Sequence, residues 1–228
     1  MLHVRFSEDE SLEMGVDEAG RGCLWGSLFA GAVIWPPEEE WLEEHREISP
    51  LIRDSKTVSK KKREVLADAI QSLAISTGVG QVSSEEIDRL GMTAANRLAF
   101  VRAIQANSVV PERLLIDGTL NLTSEQQATL EVSESETVVD GDALYLPIAA
   151  ASIVAKVSRD RWVAELVQQE PELETKYSIL SSKGYGTAKH RTGIQTHGVH
   201  REHRRLFLRK LLGTNCMIED DDALQESE

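Results

Sequence analysis

A chain of 228 residues, 41% of them hydrophobic, is long enough to bury one sizeable core, and no apolar stretch in it is long enough to span a bilayer. The first residues, Met1 to Glu8, lack a basic region followed by an apolar run, and Cys23 and Cys216 belong to no paired-cysteine metal spacing, so a cytoplasmic, unexported protein with reduced thiols is expected. A net charge of −13 argues against a polyanionic partner until its distribution is considered: the stretches 8–13, 38–47 and 219–228 carry −15 between them, so the remainder is net positive. Within that remainder, Lys183 to Leu212 holds eight lysines and arginines against Glu202 alone, a local concentration suited to phosphate. A solvated basic helix face is the alternative.

In chain order, Leu12, Met14 and Val16 alternate as a strand that leads into Asp17-Glu18-Ala19-Gly20-Arg21-Gly22. Two adjacent carboxylates offer hard oxygen ligands for Mg²⁺ or Mn²⁺, while peptide N–H groups around glycine and the Arg21 guanidinium suit phosphate or sugar oxygens. A strand end followed by a glycine turn accounts for the same residues without chemistry. Neighbours on an ideal strand point to opposite faces, so the strand is expected to end or twist where Asp17 and Glu18 meet one site.

Gly26 to Trp35 reads as a second strand stopped by Pro36-Pro37, and 38–50 as an acidic excursion, irregular or briefly helical. Asp54-Ser55-Lys56 follows. Ser59 then stands where it would cap a helix with Val65, Leu66, Ala69, Ile70 and Leu73 on its apolar face. Lys60 to Arg63 crowd the first turn of that helix, unfavourably for its dipole unless an anion lies nearby. Ala74 to Val82 reads as a strand, and Ser83 with Glu86 as a capping box for a helix to about Asn107, with Gly91 a candidate interruption.

The apolar run Leu114-Leu115-Ile116 delivers Asp117 at the end of a buried, parallel-type strand, the position where ligand groups collect in open α/β sheets. Residues 131–139 offer a further strand ending at Asp140-Gly141-Asp142. A small-residue helix begins at Ala149 and stops before Pro171. His190, His197, His200 and His203 lack a recognisable zinc spacing, so surface or substrate contacts are expected of them. Asp160 is expected to pair with Arg159 or to serve as a cap.

Six segments together resemble ribonuclease HII, the type 2 ribonuclease H family. They are Gly-Val-Asp-Glu-Ala-Gly-Arg-Gly at 15–22, Asp-Ser-Lys at 54–56, Ile-Asp-Gly at 116–118, Gly-Asp at 141–142, Ala-Ala-Ser-Ile-Val-Ala-Lys-Val-Ser-Arg-Asp at 150–160 and Lys-Gly-Tyr-Gly-Thr at 183–187. The resemblance implies an α/β ribonuclease H-like fold, a mixed central sheet flanked by helices with helical C-terminal elements that contact substrate. One domain over 1–215 is expected, with 171–215 as its basic helical segment and 216–228 as an acidic, disordered tail.

Carried over by position, the family's four-carboxylate metal site falls on Asp17, Glu18, Asp117 and Asp142, its sugar-reading triplet on Gly20, Arg21 and Gly22, and its substrate-contacting tyrosine on Tyr185. Ser152 and Lys156 are candidates to support the carboxylates by hydrogen bonds, with helix packing as the alternative. The implied activity is metal-dependent hydrolysis of RNA in RNA–DNA hybrids and cleavage 5′ of ribonucleotides embedded in duplex DNA, leaving 3′-hydroxyl and 5′-phosphate ends. Two Mg²⁺ or Mn²⁺ ions, roughly 3.5–4 Å apart, are expected during catalysis. A non-cleaving hybrid-binding module derived from the same fold is the alternative.

The chain departs from the family pattern at Cys23, where proline is usual, at Trp25, where a smaller residue is usual, and at Asp140, where lysine is common. Gly-Arg-Gly, and the lack of room for an extra N-terminal domain, disfavour the ribonuclease HIII subfamily. No terminal glutamine-hydrophobic-aromatic clamp-binding peptide is recognised, and a monomer is expected.

Overall fold

The computed structural model describes residues 2–53, 55 and 58–212; Asp54, Lys56 and the acidic tail lie outside the described residues. Five strands, β1 (Glu13–Ala19), β2 (Leu28–Ile34), β3 (Ser76–Val82), β4 (Arg113–Asp117) and β5 (Glu134–Val138), form one sheet in the order β3-β2-β1-β4-β5. β2 pairs antiparallel with both β1 and β3, whereas β1, β4 and β5 run parallel, so the sheet is mixed.

Of the two expected alternatives, an end or a twist at its acids, β1 does not take the first: it runs through Asp17 and Glu18 to Ala19. Its alternation sends Met14 and Val16 to the face covered by α4 (Met92–Gln105), with Phe100, Leu114 and Ile116 in the same cluster. The opposite face is covered by α6 (Leu146–Gln169), whose run of small residues lies close on the strands. The approach is enforced at Gly31, where a Cβ would come 2.3 Å from the Ala151 carbonyl oxygen.

α6 begins three residues before Ala149, with Pro147 in its first turn, where the missing N–H is not needed. Ser83 and Glu86 form the expected capping box on α3 (Ser84–Leu90), and Gly91, at φ +76°, separates it from α4. Thr123 and Gln126 make a second such box on α5 (Ser124–Thr129), an element whose S/T-x-x-E/Q signal is present in the sequence but was not among the expected helices. Ser59 does stand at the N-cap of α2 (Lys60–Leu73), but its side chain makes no capping bond. A short α1 (Glu43–Ile48) occupies the acidic excursion.

A third apolar cluster joins the second half of α6 to α7 (Glu172–Tyr177), α8 (Ile179–Ser182), α9 (Ala188–His197) and α10 (Arg205–Leu212) through Val163, Leu173, Ile179, Ile194 and Leu208. Trp25, from the loop after β1, is buried in its middle, so this cluster fixes the C-terminal helices against that loop. No described helix is long and apolar enough to cross a membrane.

Candidate active site

Because β1, β4 and β5 are parallel, their C-terminal ends share one edge of the sheet. Asp17 lies near the end of β1 and Asp117 is the last residue of β4. Beyond β5 the chain turns through Asp140 at φ 54° into a 3-10 turn, Gly141–Ala143, that carries Asp142. The Gly141 N–H donates to Asp117 Oδ1 at 2.8 Å, tying the turn to β4. Asp140 faces solvent and Asp142 is buried, so the two acids are separated by environment although they are two residues apart.

Asp17, Glu18, Asp117, Gly20, Arg21, Gly22 and Tyr185 line one cleft of about 260 Å³, with Ser152 and Lys156 on its α6 wall. Asp142 is not among the residues lining that cleft, although its neighbour Gly141 is bonded to Asp117. A wider groove of about 590 Å³ is lined by Leu51, Val65 and Leu66 with Arg53, Lys61 and Lys62, and carries no carboxylate among the described residues. Chemistry therefore selects the smaller cleft.

The two adjacent acids do point to opposite faces, yet both reach the cleft because it wraps around the strand end. Asp17 turns to α6, where the Ser152 hydroxyl donates to it, and its Oδ1 accepts the Glu18 N–H at 2.6 Å. Ser152 Oγ also lies 3.0 Å from Ser55 Oγ, which places the middle of the Asp-Ser-Lys segment beside the site. Glu18 turns to α4, where the Asn96 amide donates to Oε2 at 3.5 Å, and Arg21 Nη1 lies 3.6 Å from Oε1.

Burial, with the charges of Glu18 and Asp117 added to it, pushes the Asp17 carboxyl well above the usual carboxylate range. Burial also raises Glu18, against the opposing pull of Arg21. Lys156 does not relieve this repulsion, because its ammonium pairs with Asp160 at 2.6 Å. That pairing also corrects the expected Asp160–Arg159 contact. Asn96, fully buried, leaves Oδ1 without a partner among the described residues. A ring of hard oxygen donors that repel one another, with an unused amide oxygen alongside, fits a divalent cation. Among the described residues no three acid, His or Cys side chains converge at ligand distances, so binding an ion would draw the carboxylates inward.

Two residues that the sequence did not single out hold the Gly20–Gly22 loop. Arg159, from α6, is almost fully buried and donates to the carbonyls of Ser27 (3.0 Å), Lys183 (2.8 Å) and Trp25 (3.2 Å). Arg204 is fully buried and donates to Gly26 O at 2.8 Å and Arg21 O at 2.9 Å. Desolvation lowers its guanidinium to about 10. Gly20, at φ +90°, is required here, since a Cβ would meet Arg159 Nε at 2.1 Å. Carbonyls pulled inward by buried cations leave this loop rigid. Arg204 is thus internal, and the basic segment offers fewer cations to phosphate than its composition implies.

The departures from the family pattern find physical roles. Trp25 packs against Trp162 (centroids 5.5 Å apart), and its indole N–H donates to His200 Nδ1. Cys23 is a free, buried thiol whose Sγ donates to Lys183 O at 3.5 Å and shares a hydrogen bond with the Tyr185 side chain. Backbone bonds from Leu24 N–H to Gly184 O and from Arg204 N–H to Leu24 O stitch the same loop to the Tyr185 turn and the C-terminal segment. His190 and His203, expected to make surface or substrate contacts, are instead buried and bonded to each other. Histidine spacing alone carried no sign of that, because their partners lie on another turn.

A family model described as Ribonuclease HII matches residues 14–210. Among curated relatives, the ribonuclease HII of Parabacteroides distasonis is 44% identical over 202 residues, covering 89% of this chain and 92% of that protein. That of Dehalococcoides mccartyi (strain BAV1) is 44% identical over 195 residues, covering 85% and 84%. Among solved structures, ribonuclease H2 from Pyrococcus horikoshii OT3 superposes with a TM-score of 0.67 at 27% identity, covering 87% of this chain and 96% of that one. With the match spanning strands, cleft and C-terminal helices alike, this chain belongs to the ribonuclease HII family.

Proposed function

We propose that this ribonuclease H cleaves the phosphodiester on the 5′ side of a ribonucleotide, both in RNA–DNA hybrids and in duplex DNA with embedded ribonucleotides, leaving 3′-hydroxyl and 5′-phosphate ends. The observation that carries the reading is the sharing of one cleft by Asp17, Glu18 and Asp117 with Gly20, Arg21, Gly22 and Tyr185. Asp17, Glu18, Asp117 and Asp142 would hold Mg²⁺ or Mn²⁺, with Asp142 carried to the same end of the sheet by the Gly141 turn. Two such cations, when bound, supply an activated water and a stabilised leaving oxygen.

The remaining roles belong to the chain. Ser152 fixes the Asp17 carboxylate by its hydrogen bond, and Asn96 fixes Glu18. Lys156, paired with Asp160 at 2.6 Å, stays at the cleft wall as a cation for substrate phosphate. The Gly20–Gly22 backbone, held from behind by Arg159 and Arg204, reads the 2′-hydroxyl that alone separates RNA from DNA at one position. Tyr185 presents its ring to the sugar beside that loop.

The test compares duplexes holding one embedded ribonucleotide, a longer RNA stretch or DNA only, each with Mg²⁺, Mn²⁺ or chelator. Metal-dependent cuts in the first two, and none in the third, are expected. Binding without cutting would favour the non-cleaving module, and equal cutting of the DNA duplex would defeat the proposed sugar reading.

A further inference from the structure

Tyr185 stands between α8 and α9 at the mouth of the cleft, and its backbone is tied to an interior chain of histidines. The His200 N–H donates to His203 Nδ1 at 2.8 Å. His203 Nε2 meets His190 Nε2 at 3.0 Å, and His190 Nδ1 meets the Tyr185 carbonyl oxygen at 2.9 Å.

The two ends dictate the protons between them. A peptide N–H only donates, so His203 Nδ1 is bare and its proton sits on Nε2. A carbonyl only accepts, so His190 carries its proton on Nδ1 and leaves Nε2 bare to receive the His203 bond. One assignment satisfies all three contacts, and it keeps both rings neutral. Burial favours the same state, pulling His190 down and His203 to about 3. The Tyr177 ring packs edge-on against His203 with centroids 5.1 Å apart, closing that side. His190 also lies in the first turn of α9, its own N–H donating to the N-cap Thr187 Oγ1 at 3.3 Å, so ring and cap set the same turn.

We propose that His190 and His203 are positioning residues for ribonucleotide recognition: a one-way, proton-locked wire that fixes the Tyr185 carbonyl and thereby the placement of its ring beside Gly20–Gly22. The recognition role rests on the reading of Tyr185 given above; the wire itself does not. Neither histidine lines the cleft that holds the acids.

Long-range ¹H–¹⁵N spectra of the imidazoles in the full chain test the wire without mutation. His190 is expected as the Nδ1–H tautomer and His203 as Nε2–H, both neutral at neutral pH; the reverse pattern, or an imidazolium at either ring, would overturn the proposal. Kinetics on a duplex with one embedded ribonucleotide test the role. His190→Phe is expected to raise KM about tenfold with kcat changed by less than about threefold, a loss in the range of one hydrogen bond. His190→Asn, whose amide nitrogen replaces the Nδ1 donor, should recover most of it. In a Tyr185→Ala background the Phe change should add nothing. A full further loss there would sink the histidine inference while leaving the sugar reading intact. A Tyr185→Ala enzyme with normal KM would instead sink the sugar reading and the recognition role together.

Discussion

β1 and β4 lie side by side in parallel, and each begins in one charge cluster and ends in another. At the start, Glu13 faces Arg113 at 2.9 Å, and Arg113 also reaches Asp9 and Glu134 at 2.7 Å each. Glu13 accepts two further bonds from the Phe6 and Ser7 N–H groups. At the end, Asp17, Glu18 and Asp117 crowd together, with the half-exposed Arg21 3.6 Å from Glu18. The first cluster is saturated by partners within the chain and needs nothing else. The second is left frustrated, which costs stability and leaves oxygen atoms for a ligand to satisfy.

Breaking each end should therefore have opposite consequences. Asp17→Asn is expected to reduce metal-dependent cleavage on the order of 10³-fold while binding of the hybrid persists. The same change removes a buried repulsion, so the metal-free variant should melt at a higher temperature than the parent. Thermal scans in chelator decide this, and a lower melting temperature would contradict the picture of a destabilised site. Arg113→Ala is expected to do the reverse. It leaves Glu13 buried without its cation, a loss of about 3 kcal/mol seen as a lower denaturant midpoint, with activity per folded molecule unchanged.

The two ends also separate by pH. Asp17 and Glu18 hold their protons to higher pH when folded than when unfolded. At these two sites the native chain binds more protons than the unfolded one above about pH 4, so their contribution to stability falls as pH rises from there through the folded values, opposite to the buried His190 and His203, whose contribution grows as pH rises towards the ordinary histidine value. Asp9 runs the other way. Its bond to Arg113 holds it below the usual carboxylate range, so its contribution is complete above the ordinary value and is lost as pH falls through the folded one. Denaturant midpoints measured in chelator from about pH 4 to neutrality should therefore change less favourably with rising pH in the parent than in Asp17→Asn, and adding Mg²⁺ to the parent should remove that difference. An unchanged slope in that variant would place the effect elsewhere.

The same contrast explains what the sequence made legible. Strand ends and their acids were readable because alternation, small residues and short apolar runs are local signals, as at Met14 to Asp17 and Leu114 to Asp117. The extension of β1 through Glu18 was not, because pairing with β2, from Asp17 opposite Gly31 to Ala19 opposite Phe29, holds it extended. Arg159 read as a partner for Asp160 and Arg204 as part of a basic segment suited to phosphate, and carbonyls supplied mostly from more than a hundred residues away turn them inward. His190 and His203 were misplaced for a different reason: their partners are near in sequence, but the turns that aim them inward carry no zinc-like or other recognisable spacing. Arg113 is similar to the arginines, since its carboxylates come from two separate stretches, Asp9 with Glu13 and Glu134.

The finest comparison is between Asp140 and Asp142. Asp140 occupies the left-handed region at φ 54°, faces solvent and makes the turn that lets Asp142 fold inward. A side chain there is strained, though aspartate tolerates it better than most residues, so Asp140→Gly should stabilise the protein by about 0.5 kcal/mol. Cleavage should be unaffected, because the backbone path to Asp142 is kept. Asp142→Asn, by contrast, should abolish cleavage without disturbing the turn. If Asp140→Gly instead lost activity while Asp142→Asn kept it, the exposed acid would be the functional one. The burial that now distinguishes the pair would then mark a structural carboxylate, as it does for Glu13 at the other end of the sheet.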